Sequence, residues 1–217
     1  MSVKAFEHTG NYDATISEYF RNQIGDEFEQ KYFNMTFENG TKLRYGENPH
    51  QKGYYFGEEN PLYAKQLWGK ELSYNNINDA SGAIRLLLEF DKPTSVNVKH
   101  SNPCGVATAE NILQAYEKAY ACDPLSIFGG IVAFNEPVDH FLANKLSEIF
   151  LEIVIAPLFT EEALEILQAK KNIRLLELQK DEINQKGSQV KSVLGGVIVQ
   201  DEDYYLKHSN YQYLPLS

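Results

Sequence analysis

Apolar residues recur at alternating helical and strand periods over most of this 217-residue chain. Ile16, Tyr19, Phe20 and Ile24 fall on a period near 3.6, and Asp13 is placed to cap the helix they predict. Two short runs follow, 32–37 and 42–45, flanking Asn39-Gly40, which predicts a hairpin. A loop punctuated by Asn48-Pro49 spans Gly46 to Gly57. Asn78 or Asp79 is then placed to cap a helix running to Phe90, with Ile84, Leu87 and Leu88 on one face.

Beyond that point strands and helices alternate. Strands are predicted at 95–99, 130–134, 152–156 and 173–177, and helices near 109–121, 139–151 and 160–170. Such alternation predicts an α/β fold, a three-layer α/β/α sandwich around a partly parallel sheet. Residues 178–191 read as a polar excursion, 193–200 as one further strand, and 201–217 as a tail without periodicity.

One junction carries more chemistry than the rest. In Val98-Lys99-His100-Ser101-Asn102-Pro103-Cys104-Gly105 an apolar strand breaks into a polar turn. Neighbouring side chains on a strand point to opposite faces, so Lys99 and His100 converge only if the chain bends there. Asn102-Pro103 and Gly105 are the residues expected to bend it. An imidazole accepts a proton near neutral pH, and an adjacent ammonium stabilises charge developing on an oxygen.

Three other segments have binding chemistry. Arg44-Tyr45 pairs an anion-gripping fork with an aromatic plane, Ser73-Tyr74-Asn75-Asn76 is rich in amides, and Ser126-Ile127-Phe128-Gly129-Gly130 lets a ligand approach the backbone. The residues alone leave ordinary roles open for each: an exposed Arg at a strand end, helix capping by Asn76, turn formation at the glycines.

Composition narrows the classes. Twenty Lys and Arg against thirty Asp and Glu give a net charge of −10, which argues against general nucleic-acid binding. Cys104 and Cys122 form no CxxC pair, so neither a disulfide framework nor a zinc cluster is indicated. The His-x-Glu…Cys-x-x-Cys signature of zinc deaminases is absent as well. No apolar run approaches membrane-spanning length and no signal peptide is evident, so a cytoplasmic protein without membrane or metal is expected.

Taken in order, Leu43 to Gln51, Leu72 to Asn76, Val98 to Gly105, Phe128 to Asn135 and Val154-Ile155-Ala156-Pro157 strongly resemble one family. It is the bifunctional purine-biosynthesis enzyme that joins a 5-aminoimidazole-4-carboxamide ribonucleotide (AICAR) formyltransferase to an IMP cyclohydrolase. The resemblance covers roughly residues 3 to 200. It implies a cytidine-deaminase-like lobe with a mixed sheet. Residues 1–20 would be the junction following an absent cyclohydrolase domain, 21–200 the first transformylase lobe, and 201–217 a linker toward an absent second lobe. The implied reaction is formyl transfer from 10-formyltetrahydrofolate to the 5-amino group of AICAR. By matching motifs, His100 would be the general base and Lys99 the stabiliser of the transition state. Arg44, Tyr45, Asn76, Phe128, Gly129 and Glu152 would hold the substrate, Glu152 standing where the family pattern has an acid. The full-length family members are expected to be homodimers. A folded lobe that only binds nucleotide or oligomerises is the alternative.

Overall fold

The computed structural model describes residues 2–24, 31–183 and 188–202. They fall into two compact units, one of Met1–Lys42 with Tyr54–Glu59, the other of Leu43–Gly53 with Asn60–Ser217.

In the first unit, helix α1 (Ser2–Ile24) begins eleven residues before Asp13, which lies inside it. No proline interrupts residues 2–13, so nothing forces a later start. The hairpin expected around Asn39-Gly40 is absent. Residues 31–40 carry no strand, and β1 (Thr41–Lys42) instead pairs antiparallel with β2 (Tyr54–Tyr55). Tyr32, Met35 and Phe37 are exposed, so a ladder there would bury no apolar face. Asn39 does adopt the left-handed conformation (φ 58°), but as a bend leading into β1.

The second unit is a six-stranded mixed sheet in the order β3-β8-β7-β6-β4-β5. Its strands are β3 (Ala64–Trp68), β4 (Thr94–Lys99), β5 (Asn102–Thr108), β6 (Ile131–Phe134), β7 (Ile153–Ala156) and β8 (Arg174–Leu178). β6, β7 and β8 run parallel, while β3, β4 and β5 pair antiparallel with their neighbours. Alternation along each strand divides the core in two. Val132, Phe134, Val154, Ala156 and Leu175 pack on α3 (Ile112–Cys122), α4 (His140–Ser147) and α5 (Glu161–Gln168). Val96, Val98, Ile131, Ala133, Ile153, Ile155 and Leu176 pack on α2 (Tyr74–Leu87). The three-layer α/β/α architecture expected from the sequence is therefore present.

Four local expectations are corrected. β3 was not foreseen, since Ala-Lys-Gln-Leu-Trp has no clean alternation; it lies on the sheet edge against β8. The residue that caps α2 is Ser73, not Asn78 or Asp79. Ser73 Oγ accepts from the Asn76 N–H at 3.2 Å, and Asn76 Oδ1 accepts from the Ser73 N–H at 3.1 Å, a reciprocal capping box. Replacing Ser73 by Ala should destabilise this unit by about 1 kcal/mol, measured by urea unfolding.

The third correction concerns the bend. Asn102-Pro103 and Gly105 do not turn the chain. They lie within β5, and the reversal occurs earlier, at His100-Ser101. Pro103 is tolerated because β5 is an edge strand with a bulge: Val98 faces Pro103 and Asn97 faces Gly105, leaving Cys104 as the extra residue. Lastly, 193–200 is not one strand. β9 (Ser188–Val193) and β10 (Gly196–Asp201) form a hairpin turning at Leu194-Gly195, where Gly195 takes φ 81°. Part of the supposed polar excursion is thus β9. Of the expected linker 201–217, Asp201 ends β10 and Glu202 accepts from Arg85, while 203–217 lie outside the described residues.

Among the described residues no helix is long and apolar enough to cross a membrane.

Candidate functional site

The carboxyl end of β4 and the amino ends of β6, β7 and β8 lie along one margin of the sheet. Nearly all the residues singled out from sequence belong to this margin and the loops that reach it. Lys99 is the last residue of β4, and its Nζ donates to the backbone oxygen of Phe128. The Phe128–Gly130 loop is held in turn by the segment before β7. Gly129 N–H donates to Phe150 O at 2.8 Å, Glu152 N–H donates to Gly130 O at 2.9 Å, and the Phe128 and Phe150 rings sit 5.7 Å apart. Gly129 takes φ 72°, a conformation that side chains disfavour, so this turn suits glycine.

Glu152 connects this loop to α2. Its Oε2 accepts from Asn76 Nδ2 at 2.8 Å, and its backbone oxygen accepts from the Arg174 N–H at 2.9 Å. Asn76 is 5 % exposed, its Oδ1 closing the capping box while its Nδ2 orients the Glu152 carboxylate. The capping role left open from sequence is therefore real, and the same side chain also reaches the acid.

Asn75 Nδ2 donates to Glu47 O at 3.2 Å, which joins the helix start to the 43–53 loop. That loop is closed by its own backbone, with Leu43 N–H donating to Gly53 O and Gly46 N–H to Gln51 O. Arg44 is exposed and lies over the half-buried Tyr45 ring, its guanidinium carbon 5.1 Å from the ring centre. An Arg stacked this way keeps its donors free to grip a carboxylate or a phosphate.

Arg174, at the first position of β8, was not anticipated. Its Nε donates to the backbone oxygens of Lys70 and Glu71 at 3.1 and 3.4 Å. Burial pulls the guanidinium below its ordinary value and the nearby positive charge of Arg44 acts the same way, while Glu152 and Tyr45 oppose the shift. Arg174 opens a strand whose leucines are broken by a second charge, Glu177, a pattern that carries no sequence signal for it.

His100 is presented differently. His100 and Ser101 form a two-residue connection between β4 and β5, with Lys99 facing Asn102 and both turn residues left-handed (φ 54° and 61°). This is the hairpin geometry that usually selects Asn-Gly, and each non-glycine residue there costs about 1–2 kcal/mol. Strain of this kind gathers at functional sites. The turn exposes the imidazole, and Asn102 Nδ2 donates to His100 O at 2.9 Å. Cys104 is half-buried, its thiol pushed up chiefly by burial, which does not suit a nucleophile.

Residues 1–214 match the family model described as the AICARFT/IMPCHase bienzyme. The chain belongs to that family. It is also similar to the bifunctional purine biosynthesis protein PurH of Halalkalibacterium halodurans, 52% identical over 212 residues. That match covers 94% of this chain and 41% of the relative. The PurH proteins of Acetivibrio thermocellus and Anoxybacillus flavithermus are 54% and 53% identical, with 93% and 94% of this chain and 40% and 41% of each relative covered. The chain thus spans about two fifths of the length of the curated relatives it matches.

Proposed function

We propose that this chain is the first lobe of an AICAR transformylase and takes part in purine biosynthesis by moving a formyl group from 10-formyltetrahydrofolate to the 5-amino group of AICAR. The observation that carries this reading is the unbroken set of contacts from Lys99 through Phe128–Gly130 and Glu152 to Asn76, beside the exposed His100. Residues 1–20 would be the junction after a cyclohydrolase domain, 21–200 the lobe and 201–217 the connection to a second lobe. Homodimerisation and cytoplasmic location belong to the same reading.

AICAR's amine is a weak nucleophile, because its lone pair delocalises into the imidazole ring and carboxamide. Positioning and proton removal are therefore the effective levers, each contributing about 10²-fold or more. The amine nitrogen bonds to the formyl carbon while His100 takes the amine proton. The bond from that carbon to the folate nitrogen then breaks, and a proton goes to the leaving tetrahydrofolate. Lys99 stabilises the oxyanion of the tetrahedral intermediate. Arg44 grips the ribonucleotide's anionic end, Tyr45 offers a ring face, and Glu152 and the Phe128-Gly129 turn border the base and carboxamide. The formyl donor is a co-substrate, and this chemistry asks for no metal.

A second reading, a lobe that binds nucleotide or associates without turnover, draws support from the exposed Leu125, Phe128 and Phe150 side chains. Calorimetric titration with AICAR, light scattering, and a formyl-transfer assay of the chain alone and mixed with the remaining part of a relative separate the two. The transformylase reading expects heat of binding and turnover once the remainder is supplied. Absence of both, with or without the remainder, overturns it.

A further inference from the structure

The turn that presents His100 is held from outside by the start of α2. Ser101 Oγ donates to Asp79 Oδ1 at 2.7 Å and accepts from Asn78 Nδ2 at 2.7 Å. Both partners sit within the first two turns of α2, and the same helix approaches the turn again at Gly82, where an added Cβ would stand 3.7 Å from Ser101 O.

The two turn residues do not bear their conformation equally. Histidine enters the left-handed region more readily than most side chains, whereas serine has no comparable preference. The less suitable residue is therefore Ser101, and Ser101 is the one gripped by two hydrogen bonds. Asn102 Nδ2 on His100 O is a third tie, made from within the hairpin itself.

We propose that Asp79 and Asn78 are positioning residues for His100, acting through the Ser101 hydroxyl. They hold a turn of poor intrinsic propensity in its left-handed geometry and so fix where the imidazole stands. The inference deepens the transformylase reading and rests on it for the role of His100, but the clamp itself is a property of this chain. The same helix start carries Asn76 and, through it, Glu152, so one short segment sets both the acid and the proposed base.

The test uses Ser101→Ala and Ser101→Gly in the full chain, with the backbone order parameter of His100 measured by nitrogen-15 relaxation. Alanine removes both hydrogen bonds and keeps the strain. Glycine removes the strain along with the need for the clamp. The order parameter should fall from about 0.85 to below about 0.6 in Ser101→Ala alone, and Asp79→Ala should reproduce the fall. A rigid His100 in Ser101→Ala overturns the clamp.

The catalytic arm places the same substitutions in a chimera, with this chain replacing the matching segment of a full-length relative. Ser101→Ala should lower kcat roughly tenfold with the AICAR KM within about twofold, and Ser101→Gly should restore kcat. A raised KM with unchanged kcat overturns the positioning role. If the turn loosens yet Ser101→Ala and His100→Asn both keep full turnover, the base assignment itself fails, a result distinct from a rigid turn.

Discussion

His100→Asn in the same chimera should lower kcat by about 10²–10⁴-fold, the range that loss of a positioned general base produces. At 1.36 kcal/mol per tenfold, that is about 2.7–5.4 kcal/mol added to the barrier. Asparagine is chosen because it enters the left-handed region as readily as any residue except glycine, so the turn at φ 54° survives the change. The imidazole is exposed, so the loss should fall on turnover and leave the unfolding free energy within about 0.5 kcal/mol of wild type. Steady-state assays and urea unfolding of the same sample separate the two effects. Turnover within threefold of wild type would remove His100 from the mechanism. Lys99 gives a useful contrast. Its ammonium is tied to Phe128 O, so its replacement should disturb the Phe128–Gly130 loop as well as the chemistry.

Gly105→Ala should destabilise the second unit by about 3 kcal/mol, the upper end of the usual range for overpacking. The cause is contact with backbone. A Cβ at Gly105 would stand 2.0 Å from Ala119 O and 3.0 Å from Ala119 C, so β5 and α3 would have to separate. Flexible side chains can rotate away from such a clash, whereas a helix carbonyl cannot. Gly82→Ala is the matched control in the same unit. It sits inside α2 with only ordinary contact at 3.7 Å, so it should stabilise by about 0.5–1 kcal/mol through helix propensity. Urea midpoints for the pair should therefore move in opposite directions. A Gly105→Ala midpoint equal to wild type would mean that β5 does not approach α3 this closely.

These glycines show how position decides meaning. From sequence, Gly105 looked like part of a bend, because Pro103 and Gly105 stand together after a strand. Both in fact lie in an edge strand, and the glycine is needed for the packing of α3. The bend falls on His100-Ser101, a pair with no turn-forming signature, because β4 and β5 pair in a register that leaves only those two residues between them. Local propensity was overridden there by ladder hydrogen bonds and by the Asp79 and Asn78 clamp. The missing hairpin at 31–40 is the converse. Asn39-Gly40 carried a strong local signal, but the neighbouring apolar residues bury no face, and without burial a two-stranded ribbon gains little.

Elements with many buried positions were legible. β6 and β7 read as apolar runs because both faces of the sheet are covered, and α3, α4 and α5 show their helical stripes because one side of each packs on the sheet. The capping of α2 is legible in part, since Ser73 and Asn76 are both capping residue types, but only the structure shows them closing on each other. Arg174 and the Asp79–Ser101 pair were not legible as site residues. Their partners lie far along the chain, and no spacing rule links residue 174 to residues 70 and 71, or residue 79 to residue 101.

The alternation of strands and helices and the family are legible in the residue order alone. Hydrophobic periodicity and ordered motifs are local properties, so one dimension suffices to read them. Packing settles that the strand after β4 returns antiparallel, that the candidate site lies along the amino ends of β6, β7 and β8, and that α2 bonds both Glu152 and Ser101. Those outcomes depend on hydrogen bonds and close backbone approaches between segments distant in sequence, whose energies exist only once the layers have packed.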